Sequence, residues 1–181
     1  MERAGQGDQQ AFGMLVDESL ARLDAVARLI LRDTELARDA VQEAMVRAWR
    51  DLPRLRDPDK FDAWLRRLTV HACIDAARRR RRHVFEVELR PLDDRPVADA
   101  SASIADRDLL DRAMGRLDPG QRAIIVLRFY LDLTLPEAAA ALGIPLGTAK
   151  ARLHRSLTAM RIAAGPEDGG TSVPAIAGGI Q

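Results

Sequence analysis

Between Phe61 and His83 the chain reads FDAWLRRLTVHACIDAARRRRRH. Phe61, Trp64, Leu65, Leu68, Ala72 and Ile74 supply most of an apolar stripe at spacings of three and four, one face of a helix. Arg66 and Arg67 point away from that stripe, and a run from Arg78 to Arg82 closes the segment. A helix with one apolar face has to bury it, so the segments around it must bring matching faces. Two large aromatics near the start and five arginines at the end suit contact with single-stranded or distorted nucleic acid. Rings stack on unstacked bases, and guanidinium groups neutralise phosphates. The same residues also fit a core and a solvated helix end, because Phe61 and Trp64 lie on the stripe itself. The neighbouring segments decide between these readings.

A chain of 181 residues can be one domain or two small ones. Abundant Ala, Leu and Arg with a single tyrosine favour an all-α protein. Net charge is only +1, but its sign is unevenly spread. Lys60 to His83 is basic, Val84 to Asp111 is acidic, and Ala138 to Ala164 holds no acid at all. Basic blocks separated by an acidic stretch point to an anionic partner gripped in two places. The one cysteine, Cys73, excludes an internal disulfide and a multi-cysteine metal site, and reads as a small buried hydrophobe. Neither a signal peptide nor a bilayer-length apolar run is seen, so no membrane insertion and a cytoplasmic location are expected.

Residues 1–7 are expected to fray. Asp8 suits an N-cap for a first helix carrying Phe12, Leu15, Val16, Leu20, Leu23, Ala27 and Ile30. A second helix follows from Thr34, capped by Asp33 or Thr34, with Ala37, Val41, Met45, Ala48, Trp49 and Leu52 inward. Its other face carries Asp39, Gln42, Glu43, Val46, Arg47 and Arg50, which on their own read as a solvated surface. PRLRDPDK (53–60) breaks that helix, and Pro58 suits the start of the central one. Three such helices can share one core. Residues 84–103 change character: two prolines, many acids and no sustained period read as a flexible acidic linker between domains. Val84–Leu89 alternates weakly, as a short strand would. The expected organisation is therefore a first domain over 1–83, a linker over 84–103, a second domain over 104–163 and a disordered tail over 164–181.

The second domain opens with a helix at Ile104–Arg116. Asp118 and Pro119 then start a strongly apolar segment, Gln121–Tyr130, through Ile124, Ile125, Leu127 and Phe129. Thr134 with Glu137 three residues on is a capping box, and a small-residue helix ends at Gly143. The last helix runs from about Thr148 to Ile162. A short capped helix, a glycine turn and a second basic helix form a helix-turn-helix pattern, whose second helix enters the major groove. Gly147, Thr148, Lys150, Ala151, Arg152, His154 and Arg155 are the residues it presents, with Leu153 and Leu157 inward. Lys150, Arg152 and Arg155 suit guanine edges or phosphates. The competing reading, an ordinary helical hairpin, leaves the missing acids unexplained.

An enzyme reading finds little. The three histidines lack partners at metal spacing, the glycines near 143–147 sit in the helix-turn-helix turn, and no serine has a positioned base. No catalytic, cofactor-binding or metal-ligating residue is therefore assigned.

The order of segments resembles the bacterial sigma factors of the extracytoplasmic-function (ECF) group, in the sigma-70 family. The motifs that carry the likeness are GDQQAF (7–12), DAVQEAMVRAWRDL (39–52), FDAWLRRLTVHACIDAARRRRR (61–82), LDPGQRAIIVLRFYLDLTLPEAAAALGI (117–144) and GTAKARLHRSLTAMR (147–161). The resemblance implies two helical domains, sigma regions 2 and 4, and no covalent chemistry. It implies that Asp39, Gln42, Glu43, Val46 and Arg47 meet the clamp helices of the polymerase β′ subunit, the β flap being a second polymerase contact. It implies that Arg56, Asp57, Lys60, Phe61, Trp64, Arg67, His71, Arg78 and Arg79 read and open the −10 promoter element. The loop before the central helix would capture a flipped base, and the last helix would read the −35 element. An anti-sigma factor is the implied regulator. His71 stands where the family commonly has Asn, Thr69 where a small apolar residue is usual, Pro145 where Ser is frequent, and Ala138 replaces a larger aliphatic. The rival reading is a polymerase-independent helix-turn-helix regulator, which leaves the first domain's pattern unexplained.

Overall fold

The computed structural model describes residues 1–86 and 104–164, and every regular element among them is helical. The first group comprises α1 (Glu2–Gly5), α2 (Gln9–Leu31), α3 (Thr34–Asp51) and α4 (Phe61–Glu86). Asp8 caps α2 by accepting a hydrogen bond from the Ala11 amide at 3.0 Å. Asp33 does the same for α3, from the Leu36 amide at 2.8 Å. Each cap satisfies one amide that the helix itself leaves without a partner. Arg32 closes α2 in the left-handed conformation, at φ 54, so the chain reverses within two residues and α3 packs back on α2. Two short 3₁₀ turns, Leu52–Arg54 and Pro58–Lys60, then lead into α4, which lies against both α2 and α3.

One core fills the far end of this bundle with Val16, Leu23, Ala48, Leu52, Phe61 and Leu65. Phe61 is thus a core residue, buried as its place on the stripe suggests. Along α4 the buried positions are Leu65, Thr69, Val70, Ala72, Cys73, Ala76 and Ala77, while Leu68 and Ile74 stay partly exposed. Thr69 fits this seam because its hydroxyl donates to the Leu65 carbonyl at 3.1 Å. Burial pushes the Cys73 thiol up to about 12.

The second group comprises α5 (Ile104–Gly115), α6 (Pro119–Ile125) running on into a π-helical turn (Val126–Tyr130), α7 (Leu135–Leu142) and α8 (Leu146–Ala164). α8 packs against α5, α6 and α7. A capping box of Asp118 and Gln121, both bonds 2.9 Å, starts α6. A second core unites this group with the first. Val26, Ile30, Val70, Cys73 and Ala77 belong to the same buried cluster as Ile124, Leu127, Ala138 and Leu142. α6 lies on α2 and α4, and α7 lies on α4.

Three local expectations are corrected. The N-terminal residues form α1, with Ala4 buried and Arg3 paired to Asp8 at 2.7 Å. α4 continues to Glu86, so Val84–Glu86 is helical rather than strand; residues 87–103 of the linker and residues 165–181 of the tail lie outside the described residues. The apolar segment after α6 winds as a π turn, which leaves Phe129 and Tyr130 each 46% exposed, although Phe129 was expected on the buried side.

Candidate nucleic-acid and polymerase interfaces

The Thr134 hydroxyl accepts from the Glu137 amide at 3.4 Å, and the Thr134 amide donates to the Glu137 carboxylate at 2.8 Å. Hydrogen bonds from the Thr134 hydroxyl and amide hold the Glu137 carboxyl below its usual range. Gly143 ends α7 at φ 64, where a side chain would be strained. Pro145 has no capping side chain, yet its carbonyl accepts the Ala149 amide at 3.0 Å and opens α8. Ala149 and Ser156 anchor the buried side of α8. The opposite side exposes Gly147, Thr148, Lys150, Ala151, His154 and Arg155. Arg152 differs: it is half-buried, and its guanidinium lies beside Gly120, 3.3 Å from where a Cβ would stand. With no acid along α8, the exposed side is a cationic strip on a rigid element.

The residues assigned to the −10 element split into three environments. In the loop, Asp57 caps the turn before α4 and pairs with Lys60 at 2.9 Å, while Arg56 is exposed. The bond from Lys60 holds the Asp57 carboxyl below its ordinary range. At the start of α4 the Phe61 and Trp64 rings stand 6.0 Å apart, and only Trp64 is partly exposed. Further on, Arg67 is exposed, whereas His71 lies half-buried under the turn between α7 and α8. Its Nε2 is 3.4 Å from a Cβ placed on Gly143. Burial, then Arg67, lowers the His71 pKa below the ordinary imidazole range.

The arginine run is not uniform. Arg78, Arg81 and Arg82 are exposed. Arg79 pairs with Glu43 of α3 at 2.7 Å, and Arg80 pairs with Asp33 at the start of α3. Arg80 therefore braces α4 against α3, a role that a bare run of arginines does not reveal.

On α3, Asp39, Gln42 and Val46 form an exposed strip, with Val46 60% accessible. Glu43 and Arg47 lie beneath it in an ion cluster: Arg47 bonds Glu43 at 2.5 Å and approaches Asp75 at 3.6 Å. Burial alone would raise the Glu43 pKa, but bonds from Arg79 and Arg47 prevail and hold it low. This face of α3 thus sets one exposed aliphatic among polar groups held in place by ion pairs.

The fold and the α7–α8 pair define a helix-turn-helix protein carrying an additional helical bundle. Comparison with known proteins narrows this. Residues 15–83 match Sigma-70 region 2, and residues 107–160 match Sigma-70, region 4. The chain is 36% identical over 151 residues to the ECF RNA polymerase sigma factor SigM of Mycobacterium tuberculosis, covering 83% of this chain and 75% of that protein. It is also 36% identical to the RNA polymerase sigma-E factor of Streptomyces antibioticus, covering 86% of each. Among solved structures, CnrH in complex with the cytosolic domain of CnrY is 30% identical, with a TM-score of 0.61 over 89% of this chain and 92% of that one. The sigma factor RpoE in complex with the anti-sigma factor NepR from Bartonella quintana shares the fold, at 22% identity and a TM-score of 0.71, over 87% of this chain and 99% of that one. The chain belongs to the ECF RNA polymerase sigma factors. A polymerase-independent regulator is not favoured, because region 2 accounts for the first bundle.

Proposed function

We propose that this sigma factor joins core RNA polymerase through the α3 strip and places it on promoters by two separate DNA contacts. Asp39, Gln42 and Val46 meet the polymerase clamp, with Glu43 and Arg47 fixing that surface from beneath. The exposed side of α8 reads the −35 element through Lys150, His154 and Arg155, with Thr148 at the helix start. Arg56, Trp64, Arg67, Arg78 and the loop before α4 hold the opened −10 strand. The single observation that supports this most is the separation of two exposed faces: Asp39, Gln42 and Val46 on α3 and a cationic strip on α8, on different bundles.

The energetics suit that division. Opening a duplex costs about 1.4 kcal/mol per stacked step. A small protein offsets this only by gripping the exposed strand, and polymerase supplies the remaining surface. The protein performs no covalent chemistry in this scheme and works in the cytoplasm, where polymerase is. An anti-sigma factor, as in the CnrH–CnrY and RpoE–NepR complexes, would cover one or both working surfaces. The domains act as region 2 over 1–83 and region 4 over 104–163, with 84–103 as the tether. Run-off transcription with purified core polymerase on a randomised promoter library is expected to yield a discrete start site that depends on this chain. No defined start on any template would end the proposal.

A further inference from the structure

Four helices, α2, α3, α4 and α6, meet around an open cavity of about 340 Å³. Its volume falls within the span of small-molecule sites, about 300–1,000 Å³. Leu31, Leu36, Ala77 and Pro119 make an aliphatic wall. The polar lining is cationic throughout: Arg80, Arg81 and Arg122, with no acid among the described lining residues.

The three arginines are not equivalent. Asp33 pairs with Arg80 and answers its charge. Arg122 is only 8% exposed, and its bonds go to carbonyls. Its Nε donates to Ile30 at 2.5 Å, and Nη1 donates to Leu117 at 2.6 Å. Ile30 lies in the last turn of α2, whose dipole supplies about half a negative charge at most. Among the described residues no carboxylate pairs with Arg122; Asp118 acts on it only from a distance. Burial, then Arg32, pulls this guanidinium down to about 10, so it stays charged at neutral pH. Arg81 is exposed and makes no ion pair with the described residues.

A buried cation without a full counter-charge is unfavourable, and an anion entering the cavity would supply one. The wall decides what the anion carries. Aliphatic side chains offer no hydrogen bond to a sugar or a base edge and no ring for stacking, but they do fit an alkyl chain. We propose that the cavity binds an aliphatic carboxylate, its head on the guanidinium groups of Arg122 and Arg81 and its chain along the wall. The planar fork of each guanidinium matches two carboxylate oxygens. Such a site lets a small organic acid act on this chain directly, with no protein partner between them.

The test titrates octanoate into the full chain by calorimetry. Octanoate is expected to bind at one site with a Kd of about 1 mM or tighter, the range open to ten non-hydrogen atoms. Octanol keeps the chain and acetate keeps the charge; each should bind at least about tenfold more weakly. Arg81→Ala should weaken octanoate by about tenfold, the loss of one charged hydrogen bond, and leave the melting temperature of the free chain unchanged. Arg122→Met should abolish binding. That change also removes two bonds of the fold, so where its helicity by circular dichroism falls below the parent's, Arg81→Ala decides. No saturable binding to the parent up to about 10 mM overturns the site. Equal affinity for octanol or acetate overturns the ligand class, and equal affinity in Arg81→Ala overturns the assigned head group contact. Binding that emerges only after Asp93→Asn with Asp94→Asn would give the cavity to the chain's own acidic stretch, and would overturn the proposal as well.

Discussion

At the residue scale, the most informative side chain is an exposed one. Val46 projects from α3 with 60% of its surface in water, although Ala44 and Ala48 on the same helix are fully buried. Nothing in the folded chain needs a valine there. Val46→Arg should therefore leave the unfolding free energy within about 0.5 kcal/mol of the parent. If Val46 is buried against polymerase, the same change removes apolar contact and forces a charge into the interface, a loss of about 1.4 kcal/mol or more, which is tenfold or more in Kd. Thermal melts and a binding titration with core polymerase measure the two effects side by side. Equal affinity for Val46→Arg and the parent would show that the strip faces only solvent. The sequence alone could not separate Val46 from its polar neighbours. Periodicity placed it on the outer face, and its meaning came only with the family likeness.

At the element scale, helix ends were the most legible feature of the chain. Asp8, Asp33, Asp118, Thr134 and Gly143 all terminate helices as their chemistry dictates, because capping depends on three or four adjacent residues and no distant partner. The π turn at Val126–Tyr130 escaped that reasoning. An inserted residue shifts the helical face without any local composition signal, so the inward expectation for Phe129 failed while those for Ile124 and Leu127 held. The exposed Phe129 ring instead lies under the Arg128 guanidinium, 5.6 Å from its centroid. The caps have a measurable consequence. Thr134→Ala removes the acceptor for the Glu137 amide and the hydroxyl that donates to the Glu137 carboxylate, leaving only the backbone bond at 2.8 Å. Such a change should cost about 1 kcal/mol of stability. The loss should appear in denaturant titrations, with the largest rise in amide exchange confined to α7. A stability equal to the parent's would mean that the box contributes nothing to holding α7 against α8.

At the scale of the whole molecule, the helices and their inward and outward faces could be read from the sequence, but their mutual packing could not. Periodicity says which residues leave water; it does not say which face they meet. Val70, Cys73 and Ala77 of α4 satisfy a bundle pattern equally well whether α6 and α7 lie over that region or far from it. The acidic stretch after α4 separates two domains in the sequence, and nothing in it signals that one buried cluster runs through both. Shared burial couples their unfolding. Both tryptophans, Trp49 and Trp64, lie in the first bundle, so their fluorescence reports that bundle alone, while circular dichroism reports helices of both. In a urea titration of the free chain the two signals should therefore change together, as one cooperative transition. Arg32, at the end of α2, bonds Asp111 of α5 at 2.7 and 3.1 Å, and breaking that pair with Asp111→Arg should separate the two signals, with part of the helical signal lost at a different urea concentration from the fluorescence. Two displaced midpoints already present in the parent would mean that the bundles unfold independently, and that the common core adds little to the stability of either.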